Sequence, residues 1–174
     1  MAALFPKIVF TGLLLVALVI DVQALRLPNR VVLLTVGAFI ICAPLRQLSL
    51  EDTLVHIATG AGLFGALFAV ALVGALTSSL PLGGGDVKFA GAIGLWLGFG
   101  HPFFVFVAWL LIFLVALIAF IVALAMSRQL PFVMPLTGIV WVDDVTLGAV
   151  SIRKARVPFG VPLALAAIAA TWLS

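Results

Sequence analysis

The sequence predicts an all-α, polytopic membrane protein with about six transmembrane helices. Three observations lead there. Of 174 residues, 66% are hydrophobic and only 9% charged, a balance outside that of ordinary globular domains. The apolar residues gather into runs near the roughly 20 residues that cross a bilayer. The basic residues follow loop position rather than forming a patch, so the net charge of +3 reads as a topology signal and no nucleic-acid partner is expected.

The spans are expected at residues 5–25, 30–46, 53–76, 86–100, 102–126 and 157–173, all within one domain, residues 1–174. The first contains a single acid, Asp21, and is followed by Arg26-Leu27-Pro28-Asn29. There Pro stops a helix, Asn suits a cap, and Arg anchors to headgroups. A cleavable signal peptide competes for this segment, because Lys7 precedes an apolar run and Val22-Gln23-Ala24 resembles a cleavage site. Asp21 fits poorly just before such a cut. The second span is short and carries Cys42, the lone cysteine. One cysteine excludes an internal disulfide framework and a paired-cysteine zinc site, and Cys42 reads as a small buried hydrophobe.

The third span carries His56 near its outer end, without a metal-ligand partner at i+4. The fourth is short and opens on Gly83-Gly84-Gly85-Asp86-Val87-Lys88. The fifth follows His101-Pro102, an equally isolated histidine, so no metal site is expected. The sixth, again short, follows a cytoplasmic loop at about residues 127–156. That loop holds Asp143-Asp144 and Arg153-Lys154-Arg156. Val140-Trp141-Val142 and Val145-Thr146-Leu147 are candidate strands around the Asp-Asp turn. The basic cluster is expected to set topology and touch anionic lipid. Trp96, Trp109, Trp141 and Trp172 are expected to anchor or pack.

Loop charge sets the orientation. With the N-terminus outside, seven of the nine basic residues are cytoplasmic and only Lys7 and Arg46 lie outside. Both termini are therefore expected outside. Asp21 then lies late in an inward-running helix, and Asp86 opens an outward-running one. The two share a depth near the cytoplasmic face and meet if the first and fourth spans pack together.

A carboxylate near bilayer depth is costly and by default marks a functional site. Two that meet make a proton-sharing pair suited to peptide hydrolysis. Glycine permits positive φ and close backbone approach, so Gly83 and Gly85 support an unwound entry that admits an extended substrate. Asp86 sits at a positive helix N-terminus with Lys88 nearby, and Asp21 near a negative C-terminus. Asp86 is thus expected to hold the charge and Asp21 the proton. The charged acid would take a proton from water. The protonated acid would polarise the scissile carbonyl and later protonate the leaving amine. Blander readings stand beside this one: Asp86 as a helix cap, and Asp21 neutralised by Arg26 or Arg30.

These residues resemble the type IV prepilin peptidase family. Gly83-Gly84-Gly85-Asp86 matches its GxGD motif, continuing as Val87-Lys88, and Asp21 precedes Arg26-Leu27-Pro28-Asn29 as the family's first aspartate precedes its Arg-Ile/Leu-Pro-Asn turn. Val157-Pro158-Phe159-Gly160 matches a Pro-Tyr/Phe-Gly element entering the last helix. The resemblance implies an aspartic membrane endopeptidase of the bacterial inner membrane, with catalytic Asp21 and Asp86. It would remove the basic leader of prepilins or pseudopilins at the cytoplasmic face, without cofactor or metal. Pilus or secretion assembly components are further expected partners beside the lipid bilayer. Larger relatives also N-methylate and carry a paired-cysteine domain. With Cys42 alone, this chain looks like the short, peptidase-only branch serving Tad/Flp-type pili. The 127–156 loop is long for that branch. The competing class is a proton- or cation-coupled transporter or channel using the same aspartates. The outer halves of the spans offer few polar groups to carry an ion.

Overall fold

A computed structural model describes residues 4–24, 27–77, 83–127, 145–146, 149–150 and 159–174. Six α-helices account for nearly all of them: α1 (Leu4–Ala24), α2 (Asn29–Cys42), α3 (Leu50–Thr77), α4 (Gly84–Leu97), α5 (His101–Ser127) and α6 (Gly160–Leu173). A 3₁₀ turn, Pro44–Arg46, links α2 to α3. The other regular structure is a two-residue antiparallel pairing, β1 (Val145–Thr146) with β2 (Ala149–Val150). The expected strand at Val145 thus forms and pairs onward along the chain. Val140–Val142 and Asp143-Asp144 lie outside the described residues, as do Arg26 and Arg153-Lys154-Arg156.

Local chemistry sets the helix ends. Pro28, with φ −71° and ψ 145°, precedes α2, in the extended conformation that separates two helices. Ser49 and Asp52 form a reciprocal box at the start of α3. The Ser49 amide donates to Asp52 Oδ2 at 3.2 Å, and the Asp52 amide donates to Ser49 Oγ at 3.0 Å. Two otherwise orphaned amides are satisfied in this way. Helix α4 stops at Gly98, whose φ of 64° favours glycine.

Packing places two short helices, α4 and α6, inside the bundle. Helix α4 lies against α3 and α2, and α6 against α1 and α5. Phe89 and Ile93 of α4, and Leu163, Ala164, Ala166, Ala167 and Ala170 of α6, are fully buried. Small residues let backbones approach, which is how helices gain contact where no hydrophobic drive separates them from lipid. The α3–α4 crossing shows this most sharply. A Cβ on Gly60 would lie 2.9 Å from the Gly91 carbonyl oxygen, and one on Gly94 would lie 3.0 Å from that of Thr59.

Trp96 ties four elements together. Its ring stacks on Phe10 of α1 at 4.6 Å and 4°. Its indole N–H donates to the Thr35 carbonyl of α2 at 2.8 Å, and its own carbonyl accepts from Arg46 Nη1 at 3.0 Å. It is a packing residue rather than an interfacial anchor. His56 is likewise not left at an interface: it is buried, with Nδ1 2.8 Å from the Leu95 carbonyl oxygen.

The outward faces are apolar. Leu33, Ile41 and Leu76 are 69%, 74% and 77% exposed, an arrangement suited to lipid and costly in water. Among the described residues, α1 and Leu50–Leu76 of α3 are long and apolar enough to cross a membrane. Helices α2, α4 and α6 have 14 residues each, about 21 Å of axial rise, short of the roughly 30 Å hydrocarbon core.

Candidate active site

Asp21 is placed by a stripe on α1. Phe10, Leu14, Ala17 and Asp21 are the buried residues that follow one another at helical spacing. The stripe that buries the apolar side chains therefore buries the carboxylate too, to 2% exposure. It faces the start of α6, against the amides of Gly160 and Val161. The fit at Gly160 is close: a methyl group there would lie 2.7 Å from Asp21 Oδ2 and 2.9 Å from Cγ. Among the described residues Oδ2 has no hydrogen-bond partner.

Asp86 is placed by the three glycines. Gly83 is the N-cap of α4, in an extended conformation. The Asp86 carboxyl folds back over it and accepts from its amide. This is half of a capping box, so the capping role exists. It coexists with a second relation, because Asp86 lies close enough to Asp21 to feel its charge.

The glycines are not equivalent. A Cβ on Gly83 would lie 2.7 Å from Asp86 Oδ2, and one on Gly85 would lie 2.5 Å from the Leu27 carbonyl oxygen. At Gly84 nothing stands within 4 Å. The outer two positions make room for the acid and for a neighbouring backbone, while the middle one faces open space.

Leu27 is the residue that sequence reasoning passed over. It is 5% exposed and touches both helix starts. Its carbonyl lies over Gly85 of α4, and its Cδ1 would meet a methyl on Gly160 of α6 at 2.9 Å. Its place in Arg26-Leu27-Pro28-Asn29 suggested only a turn, which by itself does not reveal a wedge. Asp21 and Asp86 are thus related through Leu27 and α6, rather than by a broad α1–α4 face. Lys88 turns away from Asp86: it is exposed, and its ammonium donates to Asn29 Oδ1 at 3.1 Å.

The dipole expectation needs correction at Asp21. The sequence showed only the negative end of α1. The fold brings the positive N-terminus of α6 to the same carboxyl, so each acid meets a helix N-terminus. Helix ends no longer distinguish the two. Burial does, since Asp21 is enclosed and Asp86 is half-open. Among the described residues, no group of three or more His, Cys, Asp or Glu stands together.

Chemically, the site offers two neighbouring carboxyls, one with a free oxygen, at a backbone entry lined by glycine. Such a pair can hold and move one proton. Residues 8–127 match the type IV leader peptidase family, a span that includes both acids and ends with α5. No curated protein and no solved structure is matched by the chain. The match spans well over half of the sequence, and the chain belongs to the type IV leader peptidase family.

Proposed function

We propose that the protein is an aspartic endopeptidase that removes the basic leader of a type IV prepilin or pseudopilin, with Asp21 and Asp86 as the catalytic acids. The observation that carries this reading is that Leu27 lies against both Gly85, beside Asp86, and Gly160, beside Asp21, which brings the two acids to one site inside a chain of the leader peptidase family. In the resting pair one carboxyl is ionised and the other holds the shared proton; Asp21 Oδ2 has no hydrogen-bond partner among the described residues, and Asp86 is half-buried.

Asp86 removes a proton from water as the hydroxide attacks the scissile carbonyl carbon. Asp21 gives its proton to the carbonyl oxygen, leaving a neutral gem-diol. On collapse, the amine takes its proton from Asp86, which received it from water, rather than from Asp21 as the sequence alone suggested, because Asp21 has already given its proton to the carbonyl oxygen; a diol proton then returns to Asp21. Gly83 and Gly85 make room for the Asp86 carboxyl and the Leu27 carbonyl, which keeps the acid at the entry of the extended leader junction, while the substrate's apolar helix lies in the bilayer.

Six membrane spans with both termini outside put this site at the cytoplasmic face of the bacterial inner membrane. The loop charges support that orientation. The chain acts as a peptidase without N-methylation, consistent with its single cysteine. Co-expression with candidate prepilins, read by gel shift and N-terminal sequencing, tests the proposal. The wild type is expected to shorten the prepilin and leave a new, unmethylated N-terminus. An intact substrate, or normal cleavage by the Asp21→Asn/Asp86→Asn double variant, would overturn it.

A further inference from the structure

A second polar feature lies at the opposite end of the bundle from the two aspartates. The start of α1, the 3₁₀ turn, the end of α4, the start of α5 and the end of α6 together line a half-open cavity of about 370 Å³. That volume falls within the roughly 300–1,000 Å³ typical of small-molecule sites. Its lining includes Lys7, Arg46 and Gln47 together with Phe10 and Trp96. Among the described residues, two cationic side chains and no acidic one line this space, beside the C-terminal ends of α4 and α6 at Leu97 and Ser174.

The donors are largely unused. Arg46 spends one N–H on the Trp96 carbonyl and lies over the rings of Phe39 and Trp96 at 5.9 and 6.0 Å. A guanidinium has five N–H donors, so its fork is held by ring faces with donors to spare. Lys7 has no hydrogen-bond or ion-pair partner among the described residues. Gln47, with φ 53°, reverses the chain straight after Arg46 and so closes the turn that carries the guanidinium.

We infer that this cavity binds a phosphate anion through Lys7 and Arg46, and that the source is an anionic phospholipid headgroup. The surroundings favour lipid over free phosphate. Leu45, itself a lining residue, is 46% exposed. Phe5 and Leu173, which adjoin lining residues in the chain, are 54% and 63% exposed. A headgroup in the cavity would leave its acyl chains on this apolar rim. Arg supplies a planar fork for the phosphate and Lys a point charge. The site would clamp the ends of α1, α4 and α6 together, the same three helices whose other ends carry Asp21, Asp86 and Gly160. The inference does not depend on the peptidase reading.

The test is native mass spectrometry of the purified full chain after exchange into micelles doped with phosphatidylglycerol or phosphatidylcholine. One tightly retained phosphatidylglycerol is expected, with phosphatidylcholine lost. Lys7→Gln is expected to lower that retention about tenfold, the scale of one charged contact. Arg46→Lys, which keeps charge but loses the fork, is expected to lower it less. Arg30→Gln, a cation at the aspartate end, is the control and should change nothing. Displacement of the lipid by millimolar inorganic phosphate would support the phosphate site and point to free phosphate as a second source. Retention unaffected by phosphate would support lipid alone. Equal retention by wild type and a folded Lys7→Gln, or equal loss in Arg30→Gln, would overturn the inference.

Discussion

At the level of single residues, the three glycines before Asp86 divide into two that are needed and one that is not. Gly83→Ala pushes a methyl into the Asp86 carboxylate, and Gly85→Ala pushes one into the Leu27 carbonyl. A backbone oxygen cannot move aside as the tip of a side chain can. Gly85→Ala is expected to cost about 1–3 kcal/mol and to abolish cleavage. Gly84→Ala meets open space and is expected to keep near wild-type activity. Parallel cleavage assays and thermal melts in detergent check both. Gly160 belongs with the needed glycines. Gly160→Ala would displace Asp21 from the α6 amides, so its kcat is expected to fall by at least tenfold while the fold survives. A melt within a few degrees of wild type would separate this effect from unfolding.

At the level of elements, the α3–α4 crossing is where packing is least forgiving. Gly94→Val is expected to lower stability by about 2 kcal/mol or more, because the Thr59 carbonyl already stands 3.0 Å from the place of a Cβ. Gly62, on the same α3, has nothing within 4 Å, and Gly62→Val is expected to leave the melting temperature nearly unchanged. Equal effects of the two substitutions would contradict the crossing. The sequence revealed the existence and order of all six helices, because apolar run length and Pro or Gly punctuation are local signals. It also revealed the three short ones. It did not reveal their depth: that α4 and α6 form the inside depends on which faces meet, and an all-apolar helix has little facial contrast to read. Asp21 was legible as a candidate site residue from its cost in an apolar segment. Its contact with the α6 amides was not, since 139 positions separate Asp21 from Gly160. Lys88 shows the reverse case, where closeness in sequence to Asp86 suggested an influence and the fold gave it Asn29 instead.

At the scale of the whole molecule, the bundle is polar at its two ends and apolar around its outer girth. One end gathers Asp21, Asp86 and the starts of α4 and α6; the other gathers Lys7 and Arg46. The proposed orientation predicts that a reporter active only outside the cytoplasm gives signal when fused after Ser174 and none when inserted near residue 140. The opposite pattern would turn the site to the outer face and remove its access to a cytoplasmic leader. The lone Cys42 is buried, so a Cys42→Ala background permits the same check by labelling introduced cysteines.

The proposed chemistry asks two carboxyls on separate helices to serve one proton transfer. Groups that act as a unit fail together, so their losses do not add. The direct measurement is the cleavage rate of one prepilin by purified Asp21→Asn, Asp86→Asn and the double variant, each shown to be folded. A shared site predicts that either single substitution brings the rate to background and that the second removes nothing more. A folded single variant that still cuts at the wild-type rate would mean that these two acids do not form the catalytic pair.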